Sequence, residues 1–234
     1  MDFYIAGKGQ VGTALISFFK SKNRAINDFN EEDSGKTGIL FAALPDDHLL
    51  NYLLKIREKN SSLNIIHFSG AAKFDLKKCY LMHPYASITK KSDFSNIVFT
   101  FWGEKNPTLE TVLKKTGLNI VYAGIRPTPL YHISAVMSGN FTQFFFIAAT
   151  ELLKKQGFSK DESIALIRQL TLSSIENCIT SGISGITGPA ARGDKNTVLF
   201  EKEILSKKDE QLAEVFESIN KLISLAVKNG AVFK

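Results

Sequence analysis

The sequence predicts an α/β protein: an N-terminal Rossmann-like, doubly wound parallel sheet, followed by a C-terminal all-helical domain. Three observations carry that prediction. Over residues 1–125 short apolar runs alternate with amphipathic helical stretches, the pattern of β–α–β crossovers. The first apolar run leads straight into "GKGQVG", a G-x-G-x-x-G at the opening of the first helical stretch. After "RPTP" the strand pattern stops, and what remains reads as helices.

Taken in order, "DFYIAG" is the first strand, and "VGTALISFFKS" is a helix with Leu15, Phe18 and Phe19 on one side. "RAINDF" is a weak strand and "GILFAAL" a strong one. "DDHLLNYLLKIRE" is a helix that Asp46 or Asp47 is placed to cap. "LNIIHFSG", "KCYLMHP" and "NIVFTFWG" read as further strands. "PTLETVLKKTG" is a helix opened by proline and closed by Gly117, and "NIVYAG" ends the series. Helical runs then cover 130–155, 159–182, 194–206 and 208–229, with Gly157 and Ser159 as a stop and restart and Asp194 as a cap. The stiff two-proline stretch from Arg126 to Pro129 sets the expected cut, giving domains 1–126 and 127–234.

Composition narrows the function classes. The chain has 234 residues with 44% hydrophobic and 22% charged, enough to bury a core. "MDFYIAGKGQVG" has no basic n-region, and no apolar run approaches the length of a spanning helix, so no membrane is expected. Two cysteines, Cys79 and Cys178, are too few for a disulfide framework or a zinc site, and a reducing cytoplasm is the expected compartment. No histidine–carboxylate set has metal-ligand spacing, so no metal is expected. The net charge is +6, but the lysines fall in scattered pairs, which reads as solvated surface rather than a nucleic-acid stripe. A mildly positive field suits a small anionic substrate or cofactor.

The glycine loop carries the cofactor argument. Gly7 permits a tight turn, Gly9 lets backbone approach a pyrophosphate, and Gly12 lets the helix pack on the strand. Lys8, Gln10 and Val11 fill the loop between them, and the helix N-terminus faces the phosphates. Asp28, Asn30 and Glu31 are the candidates for an acidic ribose ligand, while Lys8 and Arg24 suit a 2′-phosphate. NADP (NADPH) is therefore favoured over NAD, with NADH left open. Leu44 and Pro45 after the third strand would pack against the cofactor, and Ser69 after the fourth would offer a hydroxyl near the nicotinamide. Each also has a plainer reading, as a residue that only turns the chain.

"HFSGA", "LMHPYASIT", "YHISAVMSGNF" and "TGPAARGD" follow one another in the order and approximate spacing of a known family. Nearly the whole chain resembles proteins with a Rossmann-like domain plus a helical domain of unassigned function. These are similar to ketopantoate reductases, pyrroline-5-carboxylate reductases and the broader β-hydroxyacid dehydrogenases. Some bacterial members are described as an alternative ketopantoate reductase of pantothenate synthesis. The resemblance implies an NAD(P)H-dependent reductase of a small 2-oxo acid, with ketopantoate as the leading substrate. A pyrroline-5-carboxylate-type imine reductase and a non-catalytic NAD(P)-binding sensor are the alternatives.

Such a reductase must bind a carboxylate and give a proton to the nascent alkoxide. The related enzymes place a lysine on the first long helix of the second domain, but no lysine lies between Lys115 and Lys154 here. His132 is the titratable replacement, and its ordinary pKa of about 6.5 suits the task. A regular helix would set Gly139 and Asn140 beside it, with Tyr131 and Ser138 paired alike. The plainer alternative is a histidine satisfied by a carbonyl, with Asn140 bridging helices. His83 before Pro84 is a candidate to line the cleft, His67 reads as core, and His48 reads as inert. In the second half, Arg192 offers a planar fork for a substrate carboxylate, and Asp194 is expected to cap a helix and to pair with Arg192. Clustered Phe141, Phe144, Phe145 and Phe146 point to a homodimer through the helical domain.

Overall fold

The computed structural model describes residues 1–30, 35–72 and 74–232. Its strands are β1 (Phe3–Ala6), β2 (Asn27–Asp28), β3 (Ile39–Ala42), β4 (Asn64–His67), β5 (Cys79–Pro84), β6 (Val98–Trp102) and β7 (Asn119–Gly124). The helices are α1 (Gln10–Ser21), α2 (Asp46–Lys59), α3 (Pro107–Lys115), α4 (Pro129–Val136), α5 (Thr142–Lys155), α6 (Lys160–Ser181), α7 (Pro189–Arg192), α8 (Lys195–Ser206) and α9 (Glu210–Asn229). Two compact units result, Met1–Thr142 and Gln143–Lys234. They divide later than the 126/127 cut read from the prolines, because α4 packs its Tyr131 onto β5 and β6 of the first unit.

Among the described residues of the first unit seven strands form one sheet in the order β2-β1-β3-β4-β5-β6-β7. Its strands through β5 are parallel, but β6 runs antiparallel to β5, so the sheet is mostly rather than wholly parallel. β5 and β6 are joined by a segment that holds a short 3-10 turn, Phe94–Asn96, and returns the chain in the opposite direction. β7 then pairs parallel to β6 through α3.

Helices cover both faces. Leu15, Phe18 and Phe19 of α1 and Leu109 and Leu113 of α3 pack with Ile5, Phe41, Tyr80 and Phe101 on one side. Leu49, Leu53 and Ile56 of α2 pack with Tyr4, Leu40 and Ile65 on the other. Alternate residues of β1, β3 and β4 thus serve opposite cores, which is why those strands read as unbroken apolar runs. Pro45, not Asp46 or Asp47, occupies the α2 N-cap position; the two aspartates sit in the first turn, where they complement the helix dipole.

In the second unit the restart at Ser159 is a capping box, with Glu162 reaching back to the Ser159 backbone. Asp194 and Asp209 cap α8 and α9 through the Thr197 and Leu212 amides. Lys202 of α8 bonds Glu217 of α9 at 2.5 Å, and Lys221 bonds the same carboxylate at 2.7 Å. The Lys202 hydrogen bond, then that of Lys221, holds the Glu217 carboxyl down at about 2. Among the described residues no helix is long and apolar enough to cross a membrane.

Candidate functional site

β1 lies between β2 and β3, so the chain departs to opposite sides from its carboxyl end. That is the switch point at which open α/β sheets leave a crevice, and the glycine loop occupies it. Gly7 has φ +95°, and a Cβ there would lie 2.2 Å from the Ala43 carbonyl oxygen. A Cβ on Gly12 would lie 2.1 Å from the Gly7 carbonyl oxygen, whereas the space beside Gly9 is open. Gly9 is the N-cap of α1 and supplies no side-chain bond, and the first turn holds no acidic residue. The leading amides of α1 are therefore left to an outside acceptor, and the loop geometry fits a phosphate.

The neighbours of the loop are fixed in turn. Gln10 Oε1 accepts from the Lys90 amide at 2.7 Å, tying the loop to the segment after β5. Val11 packs on the core beneath, and Leu44 sits beside Gly7, while Pro45 is exposed at the start of α2. Lys8 Nζ meets Asp28 at 2.7 Å, joining the loop to the end of β2. Both side chains are exposed, so this pair is weak and exchangeable. Arg24 is engaged elsewhere: it donates to the Lys115 carbonyl at 2.7 Å, at the end of α3. Asn30 is described, and Glu31 lies outside the described residues.

The same rim continues past β4 and β5. Ser69 is buried, and among the described residues neither its hydroxyl nor His132 Nδ1 has a hydrogen-bond partner. Gly70 is pressed between two imidazoles: a Cβ there would lie 2.8 Å from His83 Cδ2 and Nε2 and 3.2 Å from His132 Nδ1. The two rings stand edge to face with centroids 6.3 Å apart. His83 Nδ1 lies 2.9 Å from the Tyr131 hydroxyl, which lies 2.6 Å from Thr100 Oγ1. Tyr131 also abuts Trp102 and Tyr85, and the Tyr85 hydroxyl meets Ser134 Oγ at 2.7 Å. Burial, and after it the neighbouring His132, push the His83 pKa down; burial pushes the Tyr131 phenol up. His83 is thus a neutral, oriented imidazole near pH 7 that can accept a proton or, in the other tautomer, donate one.

His67 is core, as its place in a strand suggested: burial lowers its pKa to about 4, against a smaller opposing pull from Asp46. His48 is exposed beside Asp47. Ser138 and Asn140 are not brought into the histidine cluster. The helix widens to a π turn over Met137–Phe141, so regular helical stacking on His132 does not continue. The Ser138 hydroxyl instead bonds the Ser134 carbonyl at 2.9 Å, and Asn140 is exposed.

In the second unit, Gly188 and Gly193 take positive φ on either side of α7, and Asp194 starts α8. The Asp194 carboxyl is held below its ordinary range, first by the Thr197 hydroxyl and then by the Thr197 amide. The expected Arg192–Asp194 pair is absent among the described residues: the carboxylate oxygens are taken by Thr197, and Arg192 is exposed. A groove of about 440 Å³ runs beside this loop, floored by Ala190, Val198, Leu199 and Leu225.

Tyr85, Thr100, Trp102 and Gly70 were not singled out from the sequence. The signal for two of them was present in "FTFW", where Thr100 and Trp102 alternate with core Phe99 and Phe101 and so face the opposite side of the sheet.

The family model described as "Domain of unknown function (DUF2520)" matches residues 98–223, and the chain belongs to that family. No curated protein matches its sequence. Solved structures share the fold over nearly the whole length. A Bacteroides fragilis protein named as a candidate NADP oxidoreductase is 19% identical, with 95% of this chain and 98% of that one covered and a TM-score of 0.76. A Plasmodium falciparum pyrroline carboxylate reductase with NADP bound is 17% identical, covering 96% and 98%, with a TM-score of 0.61. A reductive aminase of Aspergillus terreus in complex with NADPH is 17% identical, covering 98% and 94%, with a TM-score of 0.62.

Proposed function

We propose that this member of the DUF2520 family is an NAD(P)H-dependent reductase of a small anionic carbonyl compound, with NADPH favoured and ketopantoate as the leading substrate. The observation that carries the reading is one continuous rim in the first unit. It joins a phosphate-shaped glycine loop at the switch point to a pair of imidazoles converging on Gly70. The names of the solved structures, two with NADP or NADPH bound, support the same cofactor class.

In this reading Gly7, Gly9 and Gly12 admit the pyrophosphate, and the open amides of α1 hold it. Lys8 exchanges Asp28 for a 2′-phosphate, which is the basis for favouring NADPH. The reduced nicotinamide supplies a hydride when bound. The chain's own task is the proton and the carboxylate. His132 is the residue assigned to give the proton to the alkoxide, and His83, fixed by Tyr131 and Thr100, stands beside it. The Ser69 hydroxyl, without a partner among the described residues, is the group left to hold a substrate oxygen. Arg192 is assigned the carboxylate on the chemistry of its guanidinium alone.

The deciding experiment is NADPH and NADH oxidation by the purified chain with ketopantoate and, separately, pyrroline-5-carboxylate. Turnover with ketopantoate that His132→Ala abolishes while NADPH still binds is the expected result. Turnover only with the cyclic imine moves the chain to the imine reductases. Nucleotide binding without reduction of either substrate favours a non-catalytic sensor, and no nucleotide binding overturns the reading.

A further inference from the structure

A closed ring of polar atoms ties β5, β6 and α4 together beside Gly70. Thr100 Oγ1 lies 3.3 Å from the His83 carbonyl oxygen and 2.6 Å from the Tyr131 hydroxyl, which in turn lies 2.9 Å from His83 Nδ1. Three contacts close the ring, and three groups can fill them with one hydrogen each. They are the threonine hydroxyl, the phenol and the imidazole, which burial keeps neutral near pH 7.

The hydrogens fit in one order. A carbonyl oxygen only accepts, so the Thr100 hydroxyl donates to it. Thr100 Oγ1 is then free to accept from the phenol, and the phenol oxygen accepts from His83 Nδ1–H. Every contact holds a hydrogen in this order. In the reverse order Thr100 donates to Tyr131 and Tyr131 to Nδ1, and the contact with the carbonyl holds none. The chain of donors ends on a carbonyl, which passes no proton on, so the ring sets a direction and is not a proton wire. The hydrogen bond made by one imidazole nitrogen decides the state of the other. With the hydrogen on Nδ1, Nε2 is bare, and the Cδ2–Nε2 edge is the one turned to Gly70. His132 Nδ1 also lies beside Gly70 but has no hydrogen-bond partner among the described residues, so it does not supply that edge with a donor.

We propose that Tyr131 and Thr100 are positioning residues that lock His83 as its Nδ1–H tautomer, so that Nε2 is a hydrogen-bond acceptor on the rim and faces a ligand group that donates. A carboxylate or ketone oxygen brings no hydrogen and is disfavoured there, whereas a hydroxyl fits. The choice of ligand rests on the reductase function proposed above. Its substrate is then a 2-oxo acid that carries a hydroxyl, as ketopantoate does, with His83 holding the hydroxyl and the carbonyl left to Ser69 and His132.

The tautomer is read directly from long-range proton–nitrogen correlation spectra of the full-length chain, isotope-labelled at its four histidines. The His83 signals are identified by their loss in His83→Gln. The expected result is Nδ1–H in wild type and in Thr100→Ser, and a shift towards Nε2–H, the form free histidine prefers in water, in Tyr131→Phe and Thr100→Val. Thr100→Val is the sharper variant, because Thr100 Oγ1 reaches the imidazole only through Tyr131. A wild-type His83 protonated at Nε2 overturns the lock, and so does a tautomer that neither substitution moves. Turnover with NADPH then compares ketopantoate with trimethylpyruvate, the same acid without the hydroxyl. A kcat/KM about 100-fold higher for ketopantoate is expected, and equal values overturn the substrate class. Reduction of neither acid overturns the reductase reading with it, while the spectrum, which needs no substrate, still decides the lock.

Discussion

The two units solve the same problem in opposite ways. The first hides Phe19, Phe41, Phe94, Phe99 and Phe101 completely, in cores on both faces of a sheet. The second hides three alanines, a threonine and a serine, and is organised by caps and the Lys202–Glu217–Lys221 bridge. Exposed ion pairs and caps contribute little beside the conformational entropy of ordering these helices. Helical pattern and good caps therefore specify where helices start and stop, but not what makes them stable.

The sharpest way to break that contrast is to put a charge at matched exposed apolar positions in the two units. Ile179→Glu in α6, a position that the expected homodimer would enclose, is expected to lower the melting temperature by more than about 10 °C. Leu54→Glu, on the outer side of α2, is expected to change it by no more than about 2 °C. Equal shifts in a thermal melt would show that α6 is no more enclosed than α2.

Next in size is a pH effect confined to the first unit. The pKa of His67 in the fold is about 4, below the ordinary 6.5, so the unfolded chain takes up its proton first as pH falls. The stabilisation is complete above pH 6.5, drains as pH drops, and is gone at about 4. Roughly 3 kcal/mol is at stake. Urea unfolding across that range should show the decline in wild type and a flatter curve in His67→Gln. Parallel curves would remove His67 from the account.

Gly70→Ala tests the rim more finely. Its Cβ meets side chains rather than backbone, so the fold should survive with a loss of about 1 kcal/mol. The displaced imidazoles should lower kcat of the proposed reduction roughly 100-fold. An active Gly70→Ala enzyme would mean the His83–His132 geometry is not used. Smallest is Lys8→Ala: KM for NADPH should rise about tenfold while that for NADH changes less than twofold. Equal changes would assign Lys8 to the pyrophosphate instead of the 2′-phosphate.

Much of this organisation is legible in the chain itself, for reasons that act over a few residues. Gly7 and Gly12 are required because a Cβ at either would collide with a carbonyl one turn or one strand away. Asn106 before Pro107, Ser159 before Glu162 and Asp194 before Thr197 start helices through bonds spanning three residues. Strand period and helix period sort the chain into its two halves. Tertiary structure decided what depends on distant residues. It set β6 antiparallel, took Arg24 to the Lys115 carbonyl, and moved the break between units to Thr142 by seating Tyr131 on His83 and Thr100. It also brought His83 and His132 together across Gly70, although neither spacing nor period links a residue of β5 to one of α4. Side-chain convergence of that kind is fixed only when the sheet has ordered its strands, because it is a property of packing between elements and not of any one of them.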